Sequence, residues 1–109
     1  MAEKKDKGFA GFTTEPVKNF MDLIGKNHAK KLAEIYSDLP EAARMAHALD
    51  LLKKKFDRDL IKSRIGLEGP IPTYQAIADA NRISKAALYE RYTAVIRRLK
   101  KAIDSLTGS

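Results

Sequence analysis

The chain has 109 residues, a net charge of +7 and no cysteine. That length holds one domain, or a compact domain with a tail, and leaves no room for a large ligand cavity beside a core without a partner chain. The missing cysteines exclude disulfides, thiolate metal sites and thiol nucleophiles, and no apolar run approaches the ~18 residues of a membrane helix. The polar start, Met1 to Lys7, lacks the apolar core of a secretory leader. The expectation is a soluble cytoplasmic protein with no membrane contact.

Alanine, leucine, lysine and glutamate dominate, which favours an all-α fold of four or five helices. Residues 1–13 read as a tail with three lysines after the first alanine and glutamate, two glycines and no periodicity. Phe9 and Phe12 in it are candidates to dock on the folded part. Thr14 is placed to cap a first helix, with Pro16 tolerated in its first turn. Val17, Phe20, Met21, Ile24, His28, Leu32, Ile35 and Tyr36 then share one stripe at helical spacing. Gly25 weakens the middle of that helix by about 1 kcal/mol relative to alanine and suggests a close helix crossing.

Asp38 with Glu41 three residues on reads as a capping box opening a second helix. Ala42, Met45, Leu49, Leu52, Phe56 and Leu60 continue it as one seam, with Lys53, Lys54, Lys55, Arg58, Lys62 and Arg64 clustered near its end. Gly66-Leu67-Glu68-Gly69-Pro70-Ile71-Pro72 must break it. Thr73 caps a short helix over 74–80. Asn81-Arg82-Ile83 forms a tight turn in which Asn81 is the residue suited to a left-handed backbone. Ser84 caps a last helix that reaches about Leu106, before Gly108. The chain thus divides into a tail (1–13), a helical segment for packing or dimerisation (14–66) and a C-terminal segment (67–109).

Charge follows this division. Residues 1–52 balance eight basic against eight acidic side chains, while 53–109 hold thirteen basic against six acidic and carry the whole excess. A basic half beside a neutral one points to a polyanion-binding face.

In 67–109 a short helix, a three-residue turn and a capped second helix have helix-turn-helix spacing. Ile77 and Ala78 stand where the first helix must be apolar and then small. Ile83 plugs the turn, and Leu88 anchors the second helix from beneath. Thr73-Tyr74-Gln75-Ala76-Ile77-Ala78-Asp79-Ala80 with Ile83-Ser84-Lys85-Ala86-Ala87-Leu88-Tyr89 resembles the DNA-reading motif of sigma-factor region four. Ile83 to Tyr92 is similar to the recognition segment of TetR-type repressors. Both resemblances imply a helix that reads double-stranded DNA. The turn departs from both families, with Asn81-Arg82 where they carry an apolar or small residue and then glycine.

Helical phase sorts the last helix. Leu88, Tyr92, Val95, Leu99, Ala102, Ile103 and Leu106 form its inner stripe; Ala86, Glu90, Thr93 and Arg97 point away. A recognition helix reads base edges with its N-terminal half and meets phosphates with its flanks. The candidate base-reading residues are Lys85, Ala86, Tyr89 and Glu90. Lys85 can donate to guanine and Glu90 can accept from a cytosine amino group. The candidate phosphate contacts are Thr73, Arg82, Ser84, Arg91, Arg97, Arg98, Lys100 and Lys101.

His28 and His47 are nineteen residues apart with no clustered ligands, Asp57 and Asp59 diverge on a helix, and no phosphate loop or nucleophile motif occurs. No enzyme activity, metal or cofactor is expected. The expected function is sequence-specific DNA binding by a small transcriptional regulator, as a homodimer on two half-sites. Two other readings of the same residues stay open: a sigma-like module that contacts RNA polymerase or another protein, and a non-specific nucleoid or RNA-binding protein.

Overall fold

The computed structural model describes residues 15–106, and over these the protein is all-α, with six helices and no strand. The positions of Phe9, Phe12, Thr14 and Gly108 lie outside the described residues. Helix α1 covers 15–24, α2 Lys26–Ile35, α3 Glu41–Leu49, α4 Lys55–Ile65, α5 Tyr74–Ala80 and α6 Lys85–Leu106. At 22 residues, α6 is about 33 Å long. It is the axis of the fold, with α2, α3, α4 and α5 all packed against it.

One core draws on both the 14–66 and the 67–109 segments. Phe20, Ile24, Leu32, Ile61, Ile65, Leu88, Val95, Leu99 and Ile103 are its largest fully buried side chains. Full burial of one such side chain stabilises the fold by about 1.5–3 kcal/mol before conformational entropy is charged against it. Four of the nine come from α6, at steps of seven, four and four, so its inner face is a continuous apolar stripe. Tyr92 and Ala102 flank that stripe half-buried, and Leu106 leaves it at 36% exposed.

Four local expectations are corrected. The first helix is two helices, because Gly25 takes φ +89° and bends the chain. A Cβ built at Gly25 would meet nothing within 4 Å, so its backbone angle, and not a close crossing, calls for glycine. The hydrogen-bond pattern continues through the bend, Gly25 N–H to Met21 and Ala29 N–H to Gly25, so the apolar phase survives it. Asp38 does not cap α3. A cap there would put Leu39, the residue before Pro40, in helical conformation, which the proline ring disfavours. The helix starts instead at Glu41 after an extended Pro40.

The seam of 42–60 is likewise two helices, α3 and α4, joined by residues 50–54. Leu51 and Leu52 continue in tight turns, each amide donating three residues back, and Leu52 is buried. The guanidinium of Arg58 then takes up the loop's free carbonyls, Nη1 donating to Leu52 at 2.6 Å and to Lys53 at 3.1 Å. Helix α4 ends as expected, in a left-handed Gly66 at φ +79° with Leu67 N–H closing on Lys62. Among the described residues no helix is long and apolar enough to cross a membrane.

Candidate nucleic-acid interface

Helix α5 is short, so its position depends on how its ends are fixed. The Thr73 hydroxyl accepts from the Ala76 amide at 3.0 Å and caps the start. Tyr74, the first residue of the helix, packs between three side chains. Its ring centroid lies 4.4 Å from that of Tyr89 and 5.9 Å from that of Tyr92, the second pair edge-on, while the Arg64 guanidinium sits 4.0 Å over the ring. Arg64 also donates to the Pro72 carbonyl at 2.8 Å, tying α4 to the segment that enters α5. In the middle of α5, Ala78 is fully buried. A larger side chain there would push α5 off α6.

The far end closes through the turn. Ile83 N–H donates to Ala78 and Arg82 N–H to Asp79, the paired bonds of a Schellman motif. That motif needs a left-handed residue one position past the C-cap. Asn81 is the C-cap, at φ −102°, and its side chain donates to the Ile77 carbonyl at 2.8 Å. Arg82 takes the left-handed place at φ +57° and is the one non-glycine residue with positive φ among the described residues. The expectation that put Asn81 in the left-handed region is therefore one residue early. Ile83 turns inward onto the core, leaving Arg82 exposed at the corner.

Helix α6 begins with a matching cap, the Ser84 hydroxyl accepting from the Ala87 amide at 3.0 Å. Fully buried Leu88 fixes the first turns against the core. Lys85, Ala86, Tyr89 and Glu90 are exposed on the first two turns, and Thr93 and Arg97 continue that face. Tyr89, Glu90, Thr93 and Arg97 line one shallow depression. Tyr89 is 45% exposed and has its ring packed on Tyr74. Glu90 makes no ion pair among the described residues, so an intrahelical arginine partner does not account for it.

The basic side chains around this face fall into two groups. Lys85, Arg97 and Lys101 are exposed, Lys100 is half-buried, and none forms an ion pair among the described residues. Arg91 and Arg98 are held by α4. The Arg91 guanidinium lies 4.9 Å over the Phe56 ring, and Arg98 Nη1 donates to Asp57 Oδ2 at 3.0 Å. Asp57 is 4% exposed, so Arg98 is first of all the counter-ion of a buried carboxylate. Its side chain is still 53% exposed, which leaves other guanidinium N–H groups facing outward. Thr73 and Ser84 are committed to their caps through their hydroxyl acceptors, and both remain exposed.

Sequence reasoning missed Arg64, Tyr74 and Asp57 as supports. The signal for the aromatic pair was present in the three-residue spacing of Tyr89 and Tyr92 opposite the first residue of α5. Nothing in spacing pairs Asp57 with Arg98, 41 residues away. At the opposite end of α6, Asp104 accepts from Lys31, and His28 Nε2 lies 3.0 Å from the same oxygen. The Lys31 hydrogen bond, aided by His28 and opposed by desolvation, holds the Asp104 carboxyl below its ordinary 3.8. His28 thus faces a carboxylate that ties α2 to α6. Tyr92 is pushed above its ordinary value, mainly by burial with help from Tyr74, and so remains a neutral packing residue. Comparison with protein-family models, with curated proteins and with solved structures gives no match for this chain.

Proposed function

We propose that the protein is a sequence-specific double-stranded DNA-binding protein, a small transcriptional regulator that acts through a helix-turn-helix made of α5, the 81–84 turn and α6. The N-terminal turns of α6 enter the major groove, with Lys85, Ala86, Tyr89 and Glu90 toward base edges and Arg82, Arg97 and Lys101 toward phosphates. The observation that carries this reading is the way that face is supported from behind and left exposed in front. A buried Ala78, two hydroxyl caps and the Tyr74 packing cluster fix α6 from behind, while its outward side chains stay exposed and largely uncommitted. Such a face costs little ordering entropy on binding, so its contacts are realised as affinity.

Glu90 is a second support. A carboxylate among phosphates opposes binding, and with no ion-pair partner among the described residues its presence on the reading face fits a specific acceptor role. One such unit buries little DNA surface, so two copies on paired half-sites are part of the proposal. The test is selection of bound sites from random duplex DNA at physiological salt. Enrichment of a two-part motif supports the reading. Recovery of an unbiased pool, or a complex that is insensitive to salt, rejects it.

A further inference from the structure

The loop between α3 and α4 carries two lysines that the proposed reading face does not use. Lys53 and Lys54 are both exposed, and neither forms an ion pair among the described residues. Exposed lysines are common and usually mobile, but the backbone under these two is held. Leu52 beside them is buried, and Arg58 Nη1 bonds the carbonyls of both Leu52 and Lys53. The remaining acidic groups nearby are accounted for. Asp57 is buried against Arg98, Asp59 pairs with Lys55 at 2.8 Å, and Asp50, though exposed, pairs with neither lysine.

These lysines do not stand alone. Lys53, Lys54 and Arg98 line one shallow depression of about 230 Å³ floored by Leu51, Leu52 and Asp57. Asp57 uses one N–H of the Arg98 guanidinium and so fixes the plane in which its others point. Seven residues before Arg98, Arg91 lies on the same side of α6, about 10.5 Å up the helix axis, and is held against α4 by Phe56. Lys53 and Lys54 therefore gather around Arg98 at one flank of α6, and Arg91 extends the same flank, with both arginines set by contacts between α4 and α6. A cluster of positive groups on a held backbone beside the proposed reading helix is complementary to phosphates, which fix register without reading sequence.

We propose that Lys53 and Lys54 of the α3–α4 loop form, with Arg98, a second phosphate-holding surface that grips the DNA backbone alongside α6. The proposal rests on the DNA-binding reading above. It gives the N-terminal segment a direct role in holding DNA, in addition to its packing against α6.

The test uses the full chain and the duplex that the wild type selects. Lys53→Gln/Lys54→Gln removes two charges from exposed positions and leaves every described hydrogen bond in place. Lys26→Gln/Lys30→Gln, at exposed positions on α2 outside this cluster, removes the same charge elsewhere. Affinity is measured across salt, with thermal melts to verify folding. Each phosphate contact adds about 0.9 to the log–log slope. The loop variant is expected to flatten it by up to about 1.8, which narrows the affinity drop between about 50 and about 200 mM salt by about twelvefold. Its preference among single-base changes should match the wild type, and the α2 variant should change the slope little. Wild-type binding with an unaltered slope in the loop variant overturns the second surface and leaves the reading helix standing. Equal flattening by both variants also overturns it, since bulk charge would then suffice. Failure of the wild type to bind duplex DNA overturns both proposals together.

Discussion

Arg82 occupies a backbone position that glycine fills at lower cost, and Arg82→Gly therefore separates stability from binding. The residue sits at φ +57° as the left-handed closure of the α5–α6 turn. For a residue with a Cβ that conformation costs about 1–2 kcal/mol. Glycine removes the clash but adds chain freedom to the unfolded state, a counter-term of about 0.4–1 kcal/mol. The net expectation is a gain of about 0.5–1 kcal/mol, which for a domain of this size raises Tm by about 2–8 °C. The Arg82 side chain is exposed and makes no hydrogen bond among the described residues to offset that gain. Binding should move the other way. If Arg82 meets a phosphate at the corner, the variant loses about 0.9 from the salt slope and weakens for all sequences alike. Urea denaturation and a salt series on one duplex read the two effects. A variant destabilised by more than about 1 kcal/mol would refute the turn geometry. A stabilised variant with an unchanged slope would refute the phosphate role and keep the turn.

Other consequences follow from the supports of α6. Arg98→Ala strips the partner from Asp57 and should cost about 2–3 kcal/mol in chemical denaturation, less than the ~3–5 of a fully buried pair because Arg98 is half-exposed. Adding Asp57→Ala to it should recover part of that loss; no recovery would mean that Arg98 acts by packing alone. Arg97→Ala, with no such partner, should leave stability within about 0.5 kcal/mol. For Asp104, the folded carboxyl lies below its unfolded value near 3.8, so its stabilising contribution is complete above that pH and disappears as pH falls through the lower, folded value. Asp104→Asn should therefore lower Tm at neutral pH and converge on the wild type in strong acid. Parallel Tm curves over the whole pH range would contradict the tie between α2 and α6.

The α5–turn–α6 segment was the most legible part of the chain because its signals are local. A threonine and a serine each stand one residue before a helix and cap it, and α5 falls on the expected 74–80. Errors arose where a contact that residue spacing does not reveal decided the outcome. The seam through Leu49, Leu52, Phe56 and Leu60 looked like one helix because the 50–54 loop contains neither glycine nor proline and keeps the apolar phase. Only the Arg58 side chain, reaching back to two carbonyls, shows how the chain can leave the helix there. At Asn81 the residue preference was sound but the Schellman register, set by where α5 ends, moved the left-handed position to Arg82. Arg98 looked like a free surface cation because nothing within a few residues of it is acidic; its carboxylate comes from α4.

The central claim is that the first turns of α6 read base edges, and Glu90 tests it most directly. Glu90 is the one acidic residue between Asp79 and Asp104, exposed, and without an ion-pair partner among the described residues. The measurement is the affinity of the wild type, Glu90→Ala and Arg97→Ala for the selected duplex and for its single-base variants at one salt concentration. The account predicts that Glu90→Ala loses about 1–3 kcal/mol of discrimination at one base pair while non-specific affinity holds or rises, and that Arg97→Ala weakens every duplex by the same factor. Unchanged ratios across the whole panel for Glu90→Ala would contradict it, and would place another face of α6, or no face, in the groove.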